Sequence, residues 1–338
     1  MRPIRLHNSF LRRARRVLID SAATRIGSAI LLVAALLGIA ILGIASPALA
    51  ATGPPAYNPT SYYATDANTS TAYSLGCDQG DADATSGLNS AVILDFFGQN
   101  SALTGTDEDF GDVFISNASI EAMAENFAEG YYVCTGSDTS TVDTLGIGTN
   151  NDGPANTQAG GQVWGNIVNA VTSWLGTNGV GQVIAYGADD IEDWGTSGNT
   201  APGPTDNWVS GFASKGDLYF NYGGAVGCPG NVDDNAACSD SWDQYNYWYL
   251  SWGDPAAFAT PEIYYNVPPG TPINAEQWGE ISDYGAAYQS DGIVFTAPFS
   301  QHERDSDSLT AAQAWDDLET YSGQSDFSYN MVISASYI

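Results

Sequence analysis

Cations are what this chain lacks. Its 338 residues carry 9 lysines and arginines against 39 aspartates and glutamates. Seven of those nine, Arg2, Arg5, Arg12, Arg13, Arg15, Arg16 and Arg25, fall in the first 25 positions, and Asp20 is the one acid there. Beyond residue 50 only Lys215 and Arg304 stand against 38 acids, a formal charge of −36. Such a surface repels phosphate backbones, which excludes nucleic-acid partners. Nucleotide cofactors are excluded too, because nothing clamps phosphates and no glycine-rich phosphate loop is present. Histidine is nearly missing, His302 being the only one after residue 50, and none of the four cysteines stands at C-x-x-C spacing, so zinc is not expected. No G-x-S-x-G elbow marks a serine hydrolase. Acidic loops of this kind would suit calcium, yet no stretch matches a known calcium loop. No metal and no cofactor are therefore expected.

What is present begins with a leader. The basic start is followed by AILLVAALLGIAILGIA, Ala29 to Ala45, and then by SPALA with Ala48 and Ala50 at A-x-A spacing. This predicts a secretory signal peptide over residues 1–50, cut after Ala50. The alternative is an uncleaved anchor, which would be the chain's only membrane contact. Arg15-Arg16 hints at twin-arginine export, whereas the strong apolar run favours the general route. In an exported chain Cys77, Cys134, Cys228 and Cys238 read as two disulfides. Of the three pairings, Cys228 with Cys238 is the simplest, closing GCPGNVDDNAAC and stabilising by roughly 3 kcal/mol or less. Cys77 would then pair with Cys134. Residues 51–72, rich in Pro, Thr, Ser and Asn, read as a flexible tether, and 73–338 as one large domain.

In that domain apolar runs alternate with amphipathic stretches. AVILDFF, VIAYGADDIE, DLYFNYGG, YWYLSWG, PEIYY, GIVFTAPF and SYNMVISAS read as strands, and either YYVCTG or TLGIGTNN supplies one more. SIEAMAENFAEG, closed by Gly130, Gln162 to Leu175, 206–214, NAEQWGEISDYG with an Asn274/Gln277 capping box, and LTAAQAWDDLETYSG read as helices. Eight strands mostly separated by helices predict an α/β fold, a (β/α)8 TIM-type barrel with an irregular fifth and sixth strand. An open doubly wound sheet is the alternative.

A barrel carries its site at the C-terminal strand ends. Asp95, Gln99, Asn150, Asn151, Asn221, Tyr222, Trp252, Glu262, Tyr264 and Gln301 stand there, and Trp194 follows the third strand. Amides, carboxylates and aromatic faces without cations suit a neutral polyhydroxylated ligand, with rings stacking on the apolar face of a sugar. The densest cluster is GADDIEDW. Residues two apart on a strand share a face, so Asp190 and Glu192 point the same way. Neighbouring carboxyls split their pKa values, and glycosidic cleavage needs such a pair.

Asp190-Ile191-Glu192 resembles the D-x-E strand tip of barrel glycoside hydrolases such as family 25 muramidases and family 18 chitinases. The wider set GTNND, GADDIEDW, NYGGAVGCP, YLSWG and TPEIYY is similar to a group of exported bacterial proteins with glycoside-hydrolase-type barrels and no assigned activity. The first resemblance implies Glu192 as general acid with Asp190 supporting it. Asp95, Gln99, Asn150, Asn151, Trp194, Asn221, Tyr222, Trp252, Tyr264 and Gln301 would then hold the sugar. Two functions follow: hydrolysis of a cell-wall or environmental polysaccharide, or glycan binding without catalysis on the same fold.

Overall fold

Short apolar runs, each ending in a polar tip, alternate with amphipathic stretches, and the chain folds them as parallel strands wrapped by helices. The computed structural model describes residues 53–338 apart from 56, 108–112, 137–139, 194–199, 231–234 and 266–273, so the leader and Trp194 lie outside the described residues. The chain opens with β1 (Thr60–Tyr63), α1 (Thr69–Ser86) and β2 (Ser90–Asp95). A hairpin of β3 (Gly105–Asp107) and β4 (Phe114–Ser116) leads into α2 (Asn117–Cys134). Next come β5 (Asp143–Asn150), α3 (Gln158–Asn178), β6 (Val183–Asp190), α4 (Pro202–Ala213) and β7 (Tyr219–Asn221). Then α5 (Gln244–Trp248) runs into a π-helical turn, Tyr249–Gly253, before β8 (Ala257–Ala259) and α6 (Asn274–Tyr288). The last elements are β9 (Phe299–Ser300), α7 (Ala311–Ser322) and β10 (Met331–Ile333).

Eight strands form one parallel sheet in the order β8-β7-β6-β5-β2-β1-β10-β9. The edges β8 and β9 meet through the parallel bridges Ala259–Phe295 and Glu262–Phe299. Read around that ring, the barrel strands follow chain order without reversal. The architecture is thus a (β/α)8 barrel and not an open sheet with a switch point. Its interior is filled by Ala91, Ile93, Ala188, Phe220, Tyr222, Phe299, Met331 and Ile333, a packed core and not a channel. The outward strand faces bury Val92, Leu94, Leu145 and Ile147 against the helices.

Four local expectations are corrected. The stretch expected to be a tether supplies β1 and the first turn of α1. Its TSYY is too polar to read as a strand, and pairing with β2 and β10 makes it one. YWYLSWG is helical, because its aromatics meet at helical spacing: Tyr245 stacks on Tyr249 and packs against Trp248, and Asp243 caps the turn with Asn246. PEIYY lies past its strand, β8 being Ala257–Ala259, and with YWYLSWG helical β1 supplies the missing strand; of the two stretches left open, TLGIGTNN is the strand and YYVC the last turn of α2. The Asn274/Gln277 box does not form: the Asn274 side chain accepts from Tyr264 and Tyr265 N–H, and Gln277 donates to the Cys228 carbonyl.

Gly130 does not stop α2; it packs. A Cβ there would lie 2.0 Å from the Tyr73 carbonyl oxygen, and one at Gly76 would lie 1.9 Å from that of Phe127, so glycine lets α1 and α2 touch backbone to backbone. The Cys77–Cys134 disulfide ties the same two helices across 57 residues, and Cys228–Cys238 closes the shorter loop. Opening so long a loop lowers stability by about 4 kcal/mol in the chain-entropy view. Replacing Cys77 and Cys134 by alanine should therefore lower the melting temperature well beyond the effect of replacing Cys228 and Cys238, as differential scanning calorimetry would record. No helix among the described residues is long and apolar enough to cross a membrane.

Candidate functional site

Along β6 the side chains of Tyr186 and Ala188 turn into the barrel, so Asp190 is the next inward position. It sits at the mouth, 4 % exposed. Ile191 turns outward into the core, and Glu192 points back to the mouth. Asn151 clamps the Glu192 backbone: its Oδ1 accepts the Glu192 N–H at 3.1 Å, and its Nδ2 donates to the Glu192 carbonyl at 2.9 Å. Across the ring, Glu262 follows β8, fixed by its bridge to Phe299 and by its N–H on the Gly223 carbonyl at 3.2 Å. One carboxylate oxygen from each of Asp190, Glu192 and Glu262 lies within 4.8 Å of the others. The Gly224 N–H donates to Glu192 Oε1 at 2.9 Å, and a Cβ at 224 would come within 2.4 Å of that oxygen. A side chain there would push Glu192 away.

These carboxyls line a cavity of about 320 Å³ rimmed by Tyr63, Tyr264, Tyr265, Asn274 and Gln301. The Tyr63 ring is braced on one side by Phe97, stacked at 5.2 Å, and by Arg304, whose guanidinium lies 4.9 Å from the ring centre. Gln301 donates to the Tyr265 hydroxyl at 2.9 Å, which donates to Asp305 at the same distance. A larger groove of about 540 Å³ opens at the opposite end, around Leu175, Val183, Ile184 and Leu218. It lies at the N-terminal strand ends and converges on few polar groups, so it is not the candidate site.

Burial raises all three carboxyls above their usual range. Glu262 is raised well above, by burial and then by the charges of Glu192 and Asp190. Glu192 is also raised by burial, but a hydrogen bond shared with Glu262 and the Gly224 N–H pull it back. Asp190 is raised well above by burial, then by Glu192, Asp95 and Asp189. A pair that shares one proton keeps it on the partner with fewer donors. The Gly224 N–H is a donor that favours the charged form of Glu192.

Of the residues expected at a sugar site, Asp190, Glu192, Tyr264 and Gln301 line the cavity. Trp194 lies outside the described residues; the others do not line it, and each has a structural place. Asp95 is buried, accepts from the Phe97 N–H at 2.8 Å and is raised to about 6 by burial. Gln99 accepts from Trp208 Nε1 and donates to the Gly160 carbonyl, joining α3 to α4. Asn150 accepts from the Asp152 N–H and shapes a turn. Asn151 holds the Glu192 backbone. Asn221 donates to Ser251 and accepts from the Gly223 N–H, setting the turn that presents Gly224. Tyr222 is fully buried and donates to the Thr149 carbonyl. Trp252 lies in the core, 3 % exposed. The sequence reading noted Glu262 without a role and missed Tyr63, Tyr265 and Asn274 at the site. Tyr63 lay hidden in the supposed tether, and TPEIYY carried the signal for Glu262 and Tyr265.

No protein-family model matches the chain, and no curated protein matches it. Among solved structures it is similar to a glycoside hydrolase family 6 enzyme, CcCel6C from Coprinopsis cinerea, with 10 % identity and a TM-score of 0.35. That match covers 73 % of this chain and 62 % of the other, so the chain spans less than two thirds of that enzyme. It is also similar to a GH26 β-mannanase from Bacteroides ovatus, with 11 % identity and a TM-score of 0.36, covering 78 % of this chain and 86 % of that one.

Proposed function

We propose that this protein is an exported hydrolase that cleaves a glycosidic bond in a cell-wall or environmental polysaccharide. One observation carries the reading: Glu192 and Glu262 face each other across a tyrosine- and amide-rimmed cavity and share a hydrogen bond. Glu262 holds the proton that a departing sugar oxygen needs, and Glu192 supplies the negative charge that attacks or stabilises the anomeric carbon. The hydrogen bond shared by the two carboxyls supports the short separation of retaining enzymes, roughly 5–5.5 Å, over the roughly 6.5–9.5 Å of inverting ones. Tyr63, Tyr264 and Tyr265 offer ring faces and hydroxyls to a sugar, and Asn274 and Gln301 offer amides. The basic, apolar leader and the two disulfides support export.

Purified protein incubated with peptidoglycan, chitin, mannan and cellulose should release new reducing ends from at least one of them. Binding without release on the whole panel would overturn hydrolysis and leave a glycan-binding protein.

A further inference from the structure

The hydrolytic reading uses two carboxyl groups and leaves Asp190 without a part. Asp190 faces the cavity, is 4 % exposed, and its Oδ1 finds no hydrogen-bond partner among the described residues. A third acid beside two others is costly to ionise unless a countercharge is bound. Among the described residues no lysine, arginine or histidine lines the cavity. Past residue 50 the only basic side chains are Lys215, Arg304 and His302. Arg304 lies over the Tyr63 and Tyr337 rings, Lys215 packs near Gly165 of α3, and the His302 ring is engaged with the Ser308 carbonyl. A countercharge for the three carboxyls would therefore come from a bound cation, since no basic side chain among the described residues lines the cavity.

We propose that Asp190, Glu192 and Glu262 form a binding site for a hard divalent cation of calcium's size. Oxygens bound to one Ca²⁺ lie about 2.3–2.6 Å from it, so any two of them fall within about 5 Å of each other. The three carboxylates meet that condition, with one oxygen from each inside 4.8 Å of the others. The donors are all carboxylate oxygens, with no sulfur or imidazole among them, which selects a hard cation over zinc or copper. They also stand on the barrel frame: the Asn151 clamp sets Glu192, the Phe299 bridge sets Glu262, and β6 itself sets Asp190. Water or ligand hydroxyls would complete the coordination.

Cation and shared proton exclude each other, since a loaded site needs all three carboxyls ionised. Binding stands whether or not the protein cleaves glycans. Only one consequence rests on the hydrolytic reading: a metal-loaded pocket has no proton to donate, so calcium would switch hydrolysis off.

The test is a calcium titration of chelator-stripped protein at pH 7.5, by calorimetry and by melting temperature, so that no activity is needed. The expected result is one saturable site per chain and a melting temperature raised by about 5 °C or more near 100 times the dissociation constant. Asp190→Asn and, separately, Glu262→Gln should each weaken that site about tenfold or more, while Asp316→Asn, on the exposed face of α7, should not. So acidic a surface draws calcium weakly everywhere, which makes the variants decisive. Absence of a saturable site, or a response unchanged in both Asp190→Asn and Glu262→Gln, overturns the proposal.

Discussion

Glu262→Gln should lower hydrolysis of a natural glycan by about 10²–10⁴-fold, the usual worth of a positioned general acid. The same variant should still release a burst of nitrophenolate from a nitrophenyl glycoside in its first turnover. A phenolate leaves without being protonated, so the first step no longer needs Glu262. Turnover after the burst should be slow, because the group that gives its proton in step one takes one from water in step two. Glu192→Gln should lose both the glycan and the burst, since no leaving group compensates for a missing nucleophile. The assays belong in chelator, so that a bound cation cannot mask the proton. A burst lost in Glu262→Gln but kept in Glu192→Gln would exchange the two roles. Full activity in both variants would leave the carboxyl pair without catalytic meaning.

The barrel was legible where local and tertiary signals agree. AVILDFF, TLGIGTNN and VIAYGADD are apolar on both faces because one face meets the helices and the other the interior. Helix ends were less legible: α3 runs Gln158–Asn178 where Gln162 to Leu175 is expected, and neither Gly130 nor the Asn274/Gln277 pair marks an end as read. Two stretches misled for opposite reasons. TSYY has little apolar character and becomes a strand only because β2 and β10 present unpaired edges to it. YWYLSWG has strong strand propensity, yet it is helical, with Tyr247 stacked on Trp242, which precedes the helix, and edge-on to Trp278 of α6. Propensity loses to packing in both cases.

At the site, the strand-tip rule located Asp190 and Glu192 but not the third carboxyl's part. Glu262 is brought to them by closure of the ring between β8 and β9, two single bridges that no periodicity in the chain announces. The amides at the tips were misread for a physical reason. Asn151, Asn221 and Gln99 are as polar as any sugar ligand, but turns at a barrel rim leave backbone groups needing partners, and these side chains satisfy them. Composition alone does not separate an amide that binds a ligand from one that holds a loop.

Stability should fall as pH rises from about 4 to about 8, opposite to the common behaviour of proteins with paired acids. The cause is at the closed end of the barrel. Asp143 opens β5 fully buried, and Asp83 of α1 is buried beside it, with the Ser90 hydroxyl reaching both carboxyls at once. One hydroxyl proton cannot serve two carboxylates, and burial lifts Asp143 to about 8 and raises Asp83 as well. Unfolded, each returns to about 4. Between the two values the folded state binds the extra proton, so stability is full below about pH 4, declines through the interval and levels off above about 8. A shift of that size in one carboxyl is worth at most about 6 kcal/mol. Asp143→Asn removes the charge and keeps the shape. It should flatten the decline and leave the variant more stable than the native chain at pH 8, though no more stable at pH 4. Urea unfolding across that range measures both. A slope as steep in the variant as in the native chain would show that these buried acids do not set it, and would leave the general repulsion of the acidic surface as its source.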